Sequence, residues 1–119
     1  MKRYCLVYEL KDEHVKDYVE IHENAHKTAW RTQLDALKEA GAENCIVYNY
    51  KNLSIIFYEC EDIDESFKKL GEIEANQAWQ ATVAPWFAET PRFDGSETVQ
   101  PVQKIFDLKQ QLNGELGQF

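Results

Sequence analysis

The stretch ENCIVYNYKNLSIIFYECE, Glu43 to Glu61, decides the fold. It holds two runs rich in β-branched and aromatic residues, ENCIVYNY and NLSIIFYECE, with Lys51 and Asn52 where the chain must reverse. Strand-forming side chains on both sides of so short a connection read as a β-hairpin. Upstream, LKEAG (Leu37–Gly41) closes a helix, because glycine takes the left-handed conformation that ends one. That helix is expected to be long and unbroken. Its acidic start at Asp12 and Glu13 suits a helix N-terminus. Val15, Tyr18, Val19, His22, His26, Trp30, Leu34 and Leu37 then recur at spacings of three and four. Before it, RYCLVYEL (Arg3–Leu10) is a strand.

Downstream of the hairpin, DIDESFKKLGEI begins on acidic residues and turns Phe67 and Leu70 inward, as a helix does. ANQAWQATVAPWF is a second helical piece that breaks near Pro85. AETPRFDGSETVQP is a loop by composition, and VQKIFDL (Val102–Leu108) is a last short strand. The order strand, helix, two tightly joined strands, helix, strand is the split β-α-β-β-α-β pattern of ferredoxin-like α+β domains with an antiparallel sheet. Residues 1–108 form that domain, and 109–119 a polar tail whose few apolar residues suit docking on a neighbour. Helices cover one sheet face, and the other needs a cover. A second copy of the chain is the expected cover, giving a homodimer built as an α/β barrel. Tyr4, Tyr8, Tyr48, Tyr50, Phe57 and Tyr58 fit its wall or core, and for most of them ordinary packing in the core is the expected role.

The chain has 119 residues, one ordinary domain, and is 44% hydrophobic, enough for a core. A formal net charge of -8 argues against nucleic acid and anionic membrane surfaces as partners, since both need clustered Lys and Arg. No run has the length of a membrane span, and MKRYCLVYELKDE lacks the apolar centre of a signal peptide. Cys5, Cys45 and Cys60 lie in apolar, strand-like runs and read as reduced, buried thiols. The expected setting is the cytoplasm.

HENAH, His22 to His26, fits the H-E-x-x-H pattern of helical zinc proteases. A zinc hydrolase needs a third protein ligand and an open position for water. The remaining histidine, His14, lies two turns upstream and drifts off the face; Glu39 is several turns away. No metal is expected. The spacing carries another meaning: Tyr18, His22, His26 and Trp30 are each four apart and form one stripe on an unbroken helix. Two imidazoles are costly to bury without partners, and Tyr and Trp are large surfaces to leave in water. Histidines bonded to sheet carbonyls satisfy the pattern. So does a ligand pocket with rings for stacking and imidazole and phenol for proton transfer, a mixture suited to sugars.

HKTAWRTQLDALKEAGAENCIVYNYKNLSIIFYECE (His26–Glu61) resembles the L-rhamnose mutarotase family: a His four residues before a Trp, a helix ending in Gly, then a hairpin. The family's Q-x-W motif is matched by Gln77 and Trp79, and the resemblance runs from about Arg3 to Leu108. It implies a ferredoxin-like dimer that interconverts the α and β anomers of a 6-deoxy sugar without a cofactor. It also implies His26 as the catalytic acid/base, since it precedes Trp30 by four residues in a gapless match. The family's catalytic Tyr lies one turn before its His, a place held here by His22. The alternative pairs Tyr18 with His22 and puts an extra turn after His22. The resemblance thus nominates His26, His22 and Tyr18 for catalysis, with Trp30, Trp79, Gln80 and Trp86 binding the sugar. Gln80 stands where the family usually has a second Trp, and Arg31 where a Pro commonly follows the helical Trp. These differences admit L-fucose beside L-rhamnose as substrate. A different class, a ferredoxin-like dimeric barrel that binds a small ligand or acts as a small monooxygenase, has the same element order.

Overall fold

The computed structural model describes residues 2–88 and 101–114. Strand β1 spans Lys2–Glu9, helix α1 Val15–Glu23, helix α2 Arg31–Glu39, strand β2 Asn44–Tyr50 and strand β3 Leu53–Cys60. Helices α3 (Ile63–Glu72) and α4 (Glu74–Val83) follow, and a short α5 (Leu108–Leu112) comes last. The strands pair antiparallel in the order β1-β3-β2.

The hairpin turns where the sequence places it, with Tyr50 opposite Leu53. Lys51 sits at φ 54°, a left-handed value, and the Asn49 side chain donates to the Lys51 and Leu53 carbonyls across the turn. Gly41 ends α2 at φ 98°, its N–H bonded to the Lys38 carbonyl. At the start of α3, Asp62 accepts a hydrogen bond from the Glu65 backbone N–H at 3.1 Å.

Strand alternation divides the aromatic residues between two faces. Leu6, Tyr58 and Cys60 point to the inner face and form a core with Ala36, Phe67 and Leu70 from the helices. Tyr4 and Tyr8 pack at its margin. A second cluster, Leu10, Tyr18, Trp79, Val83 and Phe87, fills the other end of the same layer. Tyr48, Tyr50 and Ile46 lie exposed on the opposite face, where Ile46 is paired with Phe57 and Tyr48 with Ile55.

Two expectations are corrected. The long helix from Asp12 to Gly41 is not continuous. Asp12–His14 is a 3-10 turn, α1 stops at Glu23, Ala25–Lys27 is a second 3-10 turn, and Thr28 is extended at φ -121°, ψ -178°. The cause is local polar competition for the backbone. The Asn24 side chain donates to the Glu20 carbonyl at 2.9 Å, and the Thr28 hydroxyl accepts from the Trp30 N–H at 3.2 Å. The last strand, Val102–Leu108, is also absent: 101–107 is irregular and Leu108 opens α5. One backbone bond, Val102 N–H to the Cys5 carbonyl at 2.6 Å, holds this segment against β1, and one bond makes no ladder. Ile105 and Phe106 are exposed. The loop read from composition falls on 89–100, outside the described residues.

Candidate active site

Between the inner sheet face and helices α1, α2 and α4 lies a cavity of about 390 Å³. That is the low end of the range for small-molecule sites and suits a single sugar ring. Its rim and walls include Tyr18, His22 and Glu23 from α1, Gln33 from α2, Tyr8 from β1, and Asn76, Trp79 and Gln80 from α4. The lining is otherwise mainly apolar, with Val47, Ile56, Val83 and Phe87.

The amphipathic face of α1 brings Tyr18 and His22 to this cavity one turn apart, their ring centroids 4.3 Å from each other. Nδ1 of His22 lies 2.7 Å from the Tyr18 carbonyl oxygen. A carbonyl only accepts, so this nitrogen carries the hydrogen and the neutral ring keeps its lone pair on Nε2. Burial pushes the His22 pKa below its usual 6.5, partly offset by the bond to that carbonyl. Tyr18 is almost fully buried, and its hydroxyl shares a 2.6 Å hydrogen bond with the buried Ser54 hydroxyl. Burial raises the phenol to about 12 against the lowering effect of Ser54. The two groups are thus driven apart: a neutral imidazole with a free lone pair beside a phenol that keeps its proton.

Trp79 stands edge-on to His22 at 5.1 Å and edge-on to Trp30 at 5.5 Å. Gln80, half-buried, joins it on the wall. The expected single stripe is therefore divided. Tyr18, His22, Trp79 and Gln80 meet at one cavity; His26 does not line it and is exposed on the 3-10 turn. Trp30 and Trp86 line a separate hollow of about 580 Å³ with Asp17, Glu20 and Lys27. Trp86 also stacks on His14 at 6.1 Å, and His14 pairs with Asp17 at 3.1 Å. HENAH loses its zinc geometry with the helix break, since His22 and His26 no longer sit one above the other on one helix. Among the described residues no group of three His, Cys, Asp or Glu side chains is placed to hold a metal ion.

Gln33 and Asn76 were not singled out from the sequence. Both are buried, and the Gln33 Nε2 amide donates to the Asn76 Oδ1 at 2.8 Å. Gln77, the first residue of the Q-x-W motif, donates instead to the Gly71 carbonyl and joins α4 to the end of α3. The signal for Gln33 was weak: it shares the buried side of α2 with Ala36 alone, while the neighbouring Leu34 is 42% exposed, so the sequence has no clean apolar face for an amide to interrupt.

The L-rhamnose mutarotase family model matches residues 3–108. Over 75 residues the chain is 35% identical to an L-rhamnose mutarotase of Ligilactobacillus salivarius, an alignment covering 61% of this chain and 67% of that protein. The crystal structure of an L-rhamnose mutarotase from Formosa agariphila superposes with a TM-score of 0.64, covering 90% of this chain and 98% of that one at 17% identity. At that identity the likeness speaks for the fold, which is ferredoxin-like. With nearly its whole described length matched, the chain belongs to the L-rhamnose mutarotase family and is a sugar isomerase of the mutarotase type.

Proposed function

We propose that this chain interconverts the α and β anomers of a 6-deoxyhexose, L-rhamnose first and L-fucose second, without a cofactor, at the cavity beside α1. The observation that carries the reading is the pairing of His22 with Tyr18 inside a cavity of one sugar's size. The lone pair on His22 Nε2 takes the proton from O1. The Tyr18 phenol gives its proton to the ring oxygen, and the C1–O5 bond breaks to leave the open-chain aldehyde. Imidazolium and phenolate are then neighbours, their rings 4.3 Å apart, so the charges stabilise each other. The aldehyde rotates about C1–C2. On closure O5 attacks C1, phenolate recovers the O5 proton and imidazolium returns its proton to O1. Both residues end as they began.

The reading moves the acid/base role from His26 to His22 and adopts the alignment in which Tyr18 and His22 pair and the extra residues follow. The 3-10 turn at Ala25–Lys27 supports that choice, because it absorbs residues after His22 and carries His26 away from the cavity. Trp79 is proposed to stack on the sugar's C–H face, with Gln80 bonding a hydroxyl; Trp30 buttresses Trp79 and Trp86 stays outside. A homodimer and a cytoplasmic setting belong to the same proposal. The first is supported by the exposed Tyr48, Tyr50 and Ile46, the second by three unpaired cysteines. No described helix is long and apolar enough to cross a membrane.

The test is NMR saturation transfer between anomer signals across L-rhamnose, L-fucose and common hexoses. Exchange well above the uncatalysed blank for a 6-deoxyhexose is expected. Blank-level exchange for every sugar sinks the proposal.

A further inference from the structure

We propose that Gln33, held in place by Asn76, determines specificity by accepting a hydrogen bond from one ring hydroxyl of the sugar. The inference rests on the mutarotase reading and names a further residue of that site. Both amides line the cavity, and both are buried, at 5% and 1% exposure. Gln33 Nε2 is occupied by Asn76, but Gln33 Oε1 has no donor among the described residues. A buried acceptor without a donor costs stability. Two amides set among Leu37, Phe67 and Leu70 on a mainly apolar wall are therefore a poor choice for packing alone. An acceptor on a sugar-sized cavity calls for an O–H, and hydroxyls are what a sugar offers. The terminal torsion of Gln is broad, so a modest swing of the amide turns Oε1 toward the cavity. The Asn76 bond limits that swing and fixes which end of the amide faces the ligand. Together with Gln80, Gln33 makes this wall a reader of hydroxyl position, while Tyr18 and His22 act at the anomeric end.

The experiment uses the full chain, the best 6-deoxyhexose substrate of the wild type and its set of monodeoxy analogues. Gln33→Met keeps length and helix propensity and removes the amide. It is expected to raise KM for the parent sugar roughly tenfold, with kcat held within a few-fold, because the bond is made in ground and transition states alike. One analogue is expected to be poor for the wild type and no poorer for Gln33→Met, which identifies the hydroxyl concerned. The double variant Gln33→Met with Asn76→Leu guards against misfolding. With both polar partners gone its melting temperature is expected to match or exceed the wild type while KM stays raised. A double variant that melts lower, with unchanged KM for every sugar, makes the pair an interhelical staple and overturns the proposal. Uniform loss across parent and analogues overturns it as well. If the wild type exchanges no sugar, the mutarotase reading has failed first. If the wild type is active and the variants keep its KM, only this inference falls.

Discussion

His22 and His26 differ in one physical respect that governs their chemistry: the first is half-buried at the cavity and the second is in water. His22→Gln keeps a polar side chain without proton-transfer capacity, and anomer exchange should fall by roughly 10²- to 10⁴-fold after subtraction of the blank. His26→Ala should leave exchange within about twofold, since an exposed group away from the cavity contributes little general acid–base catalysis. The reverse result would return the acid/base role to His26. The His22 pKa lies below 6.5 because burial disfavours the imidazolium. In the proposed mechanism neutral His22 is the base, so the acid limb of kcat/KM should fall at a pH below 6.5 and disappear in His22→Gln. Stability has the same sign. The unfolded chain binds the His22 proton more readily, so this residue's contribution is complete above about 6.5 and is lost as pH falls below it. A limb above 6.5 in a pH profile of anomer exchange contradicts this account.

At the scale of the element, the break between α1 and α2 separates two sites that a straight helix would have joined. The Asn24 side chain adds a second bond to the Glu20 carbonyl, which also accepts the Asn24 N–H, and the Thr28 hydroxyl accepts the Trp30 N–H in place of a helical carbonyl. Helix α3 illustrates the opposite case, a side chain that supports the helix. Asp62 accepts from the Glu65 N–H and stands at the positive end of the dipole. Asp62→Ala should lower stability by about 1 kcal/mol in urea titration, with little change in exchange rate because α3 meets the cavity only through Phe67 and Leu70. An unchanged midpoint would show that the cap is unimportant here. The turn residue Lys51 holds a left-handed conformation that glycine adopts without steric cost.

For the whole molecule, the outer sheet face is the unsettled surface. Ile46, Tyr48 and Tyr50 are exposed there, beside the partly buried Ile55 and Phe57. An antiparallel sheet normally covers one apolar face and wets the other. This one is apolar on both, and the proposed homodimer would cover the outer face with a second sheet of the same kind. Sedimentation should find a particle of twice 13.9 kDa at micromolar concentration, and Ile46→Glu with Tyr48→Lys should shift it toward the single chain. A wild-type protein that sediments as one chain would remove the homodimer from the proposal.

Local physics was readable along the chain. The hairpin at Lys51–Asn52, the stop at Gly41 and the helices after Asp62 depend on residues within a few positions of one another. Periods of two and of three to four therefore revealed them. The resemblance in His26–Glu61 supplied the family in the same way. The helix break was written at Asn24 and Thr28, but weakly, because the stripe of rings across it keeps the helical period. Only the tertiary structure decided the rest. Val102–Leu108 has strand composition, yet a strand exists only where a partner edge meets it, and β1 meets it at one bond. The site joins Tyr18 to Ser54, His22 to Trp79 and Gln33 to Asn76, pairs 36, 57 and 43 positions apart. Such contacts are made by packing helices on the inner sheet face, and no spacing along one element encodes them.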